Sequence, residues 1–293
     1  MSCPSPSDPL AEANDVLSKV SERLRLPAPI SASAANGRVI EVRLAGDVRI
    51  HLTPHDIVCA YEDLSGIPCA LLDATAEGGE VLVRFALIDF IGDVELAMRE
   101  VGPVVAERLA SFEKTGGSED ALFSELCFCI LTANYTAAGG IRIQQLIGDG
   151  FLHLPETELA ERLRSLGHRF PSSRAGYIVE ARRLYGRLSM LLGRFPEASE
   201  AREWLVESVK GLGYKEASHF LRNTGHADVA IIDRHILRFL KARGLIWDMP
   251  GSLTKRRYLC YEQRLRAVAR RLGVSLGELD LYLWYMATGK VLK

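Results

Sequence analysis

The chain has 293 residues, 48% hydrophobic and 25% charged, which suits a globular protein with room for two domains. No apolar run approaches the ~18 residues of a membrane span, and the opening MSCPSPSDPL lacks the basic and apolar regions of a secretory signal, so an intracellular protein with no membrane partner is expected. The net charge of −1 conceals an asymmetry: residues 1–100 carry 8 Lys and Arg against 16 Asp and Glu, residues 101–293 carry 28 against 21, and the second part is the better candidate for nucleic acid.

Residues 1–37 read as a flexible N-terminal segment. It is Ser/Pro-rich at first, holds a short amphipathic helix over 10–25 with Leu17, Val20 and Leu24 near one face, and ends in a loop over 26–37. From Arg38 the period becomes two. Ile40, Val42 and Leu44 alternate with polar residues, and so do Val48, Ile50 and Leu52 after the turn Ala45-Gly46-Asp47, which predicts a hairpin. Ile67–Leu72 is a third strand, confined to an edge by Pro68, and Val81–Ala86 is a fourth. Residues 38–88 are therefore expected to form a small antiparallel β domain. His51 and His55 flank Pro54 with no third ligand, so no metal is expected there. The six cysteines are scattered with no CxxC, as in reduced intracellular thiols.

From Asp89 the pattern is helical. Val94–Leu109 is periodic, with a break expected at Gly102-Pro103. Ser118-Glu119-Asp120 starts a helix that buries Leu122, Phe123, Leu126, Phe128 and Ile130. Helices follow over 141–148 and 156–166, and a long one runs from Ser173 through Arg183 to Leu192. Further helices are expected at 201–209, 216–223, 234–243, 255–272 and 276–287, so residues 89–293 read as an all-α domain and the fold class is α+β.

Two of these helices flank Lys210-Gly211-Leu212-Gly213-Tyr214-Lys215. Two glycines around one apolar residue make a tight turn. The helix after it points free N–H groups and the positive end of its dipole outward, which is a phosphate site made of backbone. Such a helix-hairpin-helix grips DNA backbone without reading sequence. Lys215 follows the second glycine, and Asp233 lies 18 residues further on, after the apolar run Val229–Ile232. An amine nucleophile must be neutral to attack, and partial burial beside positive dipoles favours the neutral form. The amine could attack C1′ of a deoxyribose, with Asp233 stabilising the cationic sugar. Equally, Lys215 could be a solvated phosphate contact and Asp233 a helix N-cap to the N–H of His235 or Ile236.

GLGYKEA followed by IIDRHIL resembles the catalytic core of helix-hairpin-helix DNA glycosylase/AP lyases, most nearly the type 2 8-oxoguanine DNA glycosylases. The likeness runs from about Val105 to Lys293. Glu125–Asn134 is similar to the family's early helix and its polar DNA-facing loop, Gly167-His168-Arg169-Phe170 with Arg174 to its glycine–aromatic turn, and Gly289–Lys293 to its short tail. The resemblance implies a bifunctional enzyme that flips 8-oxoguanine from duplex DNA, excises it and nicks the abasic strand, acting in the cytoplasm or nucleoid. Lys215 would be the Schiff-base nucleophile, Asp233 its acidic partner, and Lys293 a residue of the base pocket; a frayed end is the alternative for Lys293. Trp284 would stack on the flipped base or else pack in the core with Leu281 and Leu283. Asn134 would contact the gap or the orphaned cytosine, or else end its helix. Arg169, Arg174, Lys210 and Arg222 would contact phosphate, with Gly211 and Gly213 at the hairpin, unless each charge is only solvated. No cofactor is implied beyond a monovalent cation at the hairpin, and the four-cysteine cluster of an iron–sulfur centre is missing. Oxidised pyrimidines as substrate, or a non-catalytic DNA-binding module, remain as alternatives. The acidic first hundred residues depart from the type 2 pattern and resemble, in position, the sheet domain that larger 8-oxoguanine glycosylases carry ahead of their helices.

Overall fold

The alternation Ile40-Val42-Leu44 does form a strand with one buried face, but its neighbours differ from those the hairpin predicted. The computed structural model describes residues 9–26, 31–35, 39–45, 54–67, 69–77, 80–87, 90–243, 245–246 and 249–293. After helix α1 (Pro9–Arg23) come strands β1 (Ser31–Ala35) and β2 (Val39–Ala45), helix α2 (Pro54–Ser65), and strands β3 (Cys69–Glu77) and β4 (Glu80–Leu87). The sheet is antiparallel, in the order β1-β2-β4-β3. Ile40 is opposite Ala34 on one side and Phe85 on the other, so both edges of β2 are occupied. The expected partner Val48–Leu52, like His51, lies outside the described residues. β1 falls in a stretch read as loop, because SASAA carries no hydrophobic alternation; pairing to a strand edge needs only backbone. β3 is an edge strand, as Pro68 implied.

The chain clusters into two compact units, Met1–Leu96 with Leu237–Val274, and Ala97–Ile236 with Ser275–Lys293. These do not follow the expected boundaries at residues 37/38 and 88/89. In the first unit, Leu17 and Val20 of α1 and Val58 and Tyr61 of α2 pack with Val42, Val83 and Phe85 of the sheet. The segment expected to be flexible thus holds a packed helix and a strand, and the expected β domain includes a helix. The helix α13 (Lys255–Leu272) belongs here because α2 holds it: Asp63 Oδ1 accepts from Arg270 Nη2 at 2.8 Å and Gln263 Nε2 at 2.9 Å, and the buried Glu62 pairs with Arg264 Nε at 3.0 Å. Gly66 has φ +68°, and a Cβ there would lie 2.8 Å from the carbonyl oxygen of Ala267, so only glycine lets α2 end this close to α13.

The second unit is helical. α3 (Ile91–Gly116) enters it and is followed by α4 (Glu119–Thr132), α5 (Ala137–Ile147), the single turn α6 (Gly150–His153), α7 (Glu156–Ser165), α8 (Pro171–Ala181), α9 (Leu188–Leu192), α10 (Ala198–Ser208) and α11 (Tyr214–Asn223). Helix α12 (Arg234–Ala242) starts in this unit, and α14 (Leu276–Thr288) closes it. α4 starts where Ser118-Glu119-Asp120 predicted, and Ser118 caps it, accepting from Ala121 N. The break expected at Gly102-Pro103 is absent: Pro103 sits inside α3, where loss of one hydrogen bond is outweighed by buried anchors on both sides, Val94 and Ala97 before it and Val105 and Phe112 after it. Conversely, the long helix expected over 173–192 is interrupted. A 3-10 turn at Arg182–Leu184 and Gly186 (φ +74°) separate α8 from α9, and the carboxylate of Glu119 accepts from Leu188 N at 3.1 Å and Ser189 N at 2.9 Å. That remote cap gives α9 its own start. The core gathers around α4, whose Leu122–Leu131 side chains include Leu126, Phe128 and Ile130 at 0% exposure. Cys127 and Cys129 are buried in it, and burial pushes both thiols well up. No described helix is long and apolar enough to cross a membrane.

Candidate active site

The hairpin is built as its residues demand. Leu212 is buried between α10 and α11, and α11 starts at Tyr214, two residues earlier than expected. Gly211 adopts φ +91°, and a Cβ there would run into the ring of Tyr177. Glu216 Oε2 accepts from Gly213 N at 3.2 Å, which takes up one free N–H at the start of α11. Lys215 therefore sits in the first turn of α11. Its side chain is 23% exposed, with Nζ 3.7 Å from Glu216 Oε1. Asp233 caps α12, its Oδ1 accepting from Ile236 N at 2.8 Å.

Lys215 and Asp233 line one cavity of about 290 Å³, near the small end of the range typical for ligand pockets, ~300–1,000 Å³. Thr132, Tyr135, His219, Arg222, Ile231, His235, Asp280, Trp284, Leu292 and Lys293 complete most of the wall. The spacing of α11 accounts for part of this: Lys215, His219 and Asn223 follow one another by single turns on one face. Trp284 is half-buried in the wall, whereas Leu281 and Leu283 of the same helix turn into the core. The indole stands edge-on to His235, centroids 5.4 Å apart.

From Arg222, Asp280 and Lys293 the cavity wall continues into a buried polar network. Arg222 pairs with Asp280, whose Oδ1 accepts from Ile231 N at 3.0 Å, and Arg222 Nη2 also donates to Asn223 Oδ1 at 2.9 Å. Asn223 Nδ2 donates to Glu125 Oε1 at 2.6 Å, and Lys293 Nζ donates to Glu125 Oε2 at 2.7 Å and Gln144 Oε1 at 2.6 Å. Burial raises Asp280 to about 6 despite Arg222 beside it. Burial, with the positive charges of Arg222, Lys215 and Lys293, holds His219 well below the usual histidine range, so its ring is neutral.

Apart from Arg222, the expected DNA-contact residues lie outside the cavity wall. Asn134 is exposed just past the end of α4, in the left-handed region at φ +59°. Lys210 is exposed, with Nζ 5.6 Å from the Tyr177 ring centroid and 3.9 Å from Glu180, and Arg169 is exposed over Phe170. Arg174 is 7% exposed and donates to the Ala133 carbonyl at 2.7 Å, bracing the end of α4 rather than facing solvent. Arg222, at 3% exposure, is committed to Asp280 and is no phosphate contact. Among the described residues, no group of three or more His, Cys, Asp or Glu side chains could hold a metal.

Sequence reasoning missed Asp280, His219 and Glu125. A signal existed for the last two: His219 follows Lys215 by one helical turn, and Glu125 is a lone charge in the apolar run Leu122–Leu131.

A family model described as 8-oxoguanine DNA glycosylase matches residues 105–274. The 8-oxoguanine DNA glycosylase/AP lyase of Thermotoga petrophila is 51% identical over 205 residues, which cover 69% of this chain and 98% of that protein. The protein of the same name from Methanocaldococcus jannaschii is 52% identical over 200 residues, covering 68% and 96%. A crystal structure of the M. jannaschii glycosylase/lyase in complex with 15mer DNA containing 8-oxoguanine superposes with a TM-score of 0.67 at 51% identity, covering 69% of this chain and 99% of that one. The Thermotoga maritima 8-oxoguanine DNA glycosylase gives 0.66 at 50% identity, covering 70% and 99%. With the hairpin, the helix start and the cavity between them in place, this chain belongs to the 8-oxoguanine DNA glycosylase family.

Proposed function

We propose that this protein is a bifunctional repair enzyme that releases 8-oxoguanine from duplex DNA and cleaves the abasic strand by β-elimination. The observation that carries this reading is that Lys215 and Asp233 face one base-sized cavity. The damaged nucleotide leaves the stack and enters it. The Lys215 amine attacks C1′, and the glycosidic electrons leave with the base, which takes up a proton. The nitrogen lone pair then opens the sugar to a protonated Schiff base. Loss of a C2′ proton from that species expels the 3′ phosphate and cuts the strand. Asp233 stabilises the positive sugar as the base departs, its carboxylate already held rigid by the cap.

Trp284 stacks on the flipped base and Lys293 reads it, both from the cavity wall. Asn134, Arg169, Lys210, Gly211 and Gly213 hold the duplex, and Arg174 braces the end of α4 from within. The chemistry needs no cofactor; a monovalent cation at the hairpin carbonyls would assist phosphate binding. The substrate places the enzyme in the cytoplasm at the nucleoid.

Borohydride trapping tests this reading. Wild type should crosslink covalently to duplexes carrying 8-oxoguanine or an abasic site, and Lys215→Gln should crosslink to neither. A wild-type protein that traps on neither substrate overturns the assignment.

A further inference from the structure

Glu125 is a buried carboxylate, 4% exposed, on a helix whose other buried side chains, Thr132 apart, are apolar. A buried charge is costly unless paired and hydrogen-bonded. Here both oxygens are occupied: Oε1 by Asn223 Nδ2 at 2.6 Å and Oε2 by Lys293 Nζ at 2.7 Å, with Gln144 Nε2 at 3.3 Å from Oε2. The ammonium is equally well held. Besides Glu125 it donates to Gln144 Oε1 at 2.6 Å, and it lies 4.3 Å from the Phe128 ring centroid. The Lys293 side chain is therefore an anchor turned into the helical core, only 20% exposed. Lys293 lines the cavity with Leu292, and its main chain lies beside His219, one turn along α11 from Lys215.

We propose that Glu125 is a positioning residue for base discrimination: by holding the Lys293 ammonium it fixes the Lys293 main chain in the base pocket. This rests on the reading of the cavity as an 8-oxoguanine pocket. The lesion differs from guanine at N7, which carries a hydrogen, and at O8. A main-chain oxygen fixed in the pocket accepts from N7–H and meets only a lone pair in guanine. Such a contact discriminates only if the oxygen cannot swing away, and the Glu125–Lys293 pair supplies that rigidity. The pair is neutral overall, so it adds no net charge beside the nucleophile. Asn223 links Glu125 to Arg222 and Asp280, so the anchor is continuous with the network that holds Ile231, two residues before Asp233.

The test is a double-mutant cycle of Glu125→Gln and Lys293→Met, read as single-turnover release of 8-oxoguanine and of guanine, and as cleavage of a preformed abasic site. Each single variant should lose about tenfold in the preference for 8-oxoguanine over guanine, ~1.4 kcal/mol. The double variant should lose no more than the worse single. Glu125→Gln should cleave the preformed abasic strand within about twofold of wild type. Additive losses, or an equal fall of Glu125→Gln on abasic DNA, would overturn the proposal. Lys293→Met, at a position outside every helix, tests the same contact should Glu125→Gln not fold. An unchanged preference in Lys293→Met refutes the anchor while leaving the enzyme assignment standing. Wild type that releases no 8-oxoguanine refutes the assignment itself.

Discussion

One oxygen of Asp233 caps α12, and the same carboxylate faces the cavity that holds Lys215. The two roles separate by substitution, because asparagine caps a helix about as well as aspartate but carries no charge. Asp233→Asn is expected to keep the fold and DNA affinity within about twofold while slowing base release by ~10²-fold, the scale of losing one electrostatic contact in a transition state. Single-turnover excision against equilibrium DNA binding measures the split, and unchanged excision would remove Asp233 from the chemistry. Lys215 and Asp233 were legible in the sequence because each follows a local signal, a Gly-x-Gly turn and an apolar run before a helix. Their meeting in one cavity was implied only by the family resemblance, since the 17 residues between them set no distance. Arg174 shows the converse. It was legible as a charge beside a turn, yet its guanidinium turned inward to the Ala133 carbonyl, a partner far along the chain.

At the scale of elements, the hairpin depends on Gly211. A side chain there would need both φ +91° and room occupied by the Tyr177 ring. Gly211→Ala is expected to cost ~1–3 kcal/mol of stability and to weaken binding to undamaged duplex. Denaturant unfolding and a fluorescence titration would show both; a variant as stable as wild type would mean that the turn tolerates a Cβ. Most helices of 89–293 were readable from their period and polar start residues, as with α4 after Ser118, Lys255–Leu272 and Leu276–Thr288. The misjudged boundaries share one cause. Pro103 and the 173–192 stretch were read from local propensity, and in both the outcome was settled by remote partners: buried anchors along α3, and the Glu119 carboxylate at the start of α9. Helix α2 was overlooked because its turns sit among strands and the alternation on either side dominated the reading.

For the molecule as a whole, two buried carboxylates make stability depend on pH. Burial raises Glu62 in the first unit and Asp280 in the second to about 6, above their ordinary values of 4.5 and 3.8. The folded state keeps protons that the unfolded chain releases. Their contribution is therefore full below the unfolded values and is lost as pH rises through about 6. The buried His168 and His219 and the partly buried His226, all held below the usual histidine range, act the other way and favour folding as pH rises toward neutrality. A difference measurement separates the two. The unfolding free energy of wild type relative to Glu62→Gln should fall by ~2 kcal/mol between pH 4 and pH 7. A flat difference would show that Arg264 keeps Glu62 ionised throughout.

The sequence by itself determined the local alphabet of this protein: the helical period after Asp89, the glycine hairpin with its lysine, the capping aspartate and the resemblance that these residues carry. Such features depend on neighbours within a few residues, and their physics is written in the chain. Only the tertiary structure decided which side chains share a cavity, that Arg222 serves Asp280 rather than phosphate, that α13 packs on α2, and that Glu125 grips Lys293. Each of these pairs residues far apart in sequence, where packing and the pairing of buried charge set the partner and no local period records it.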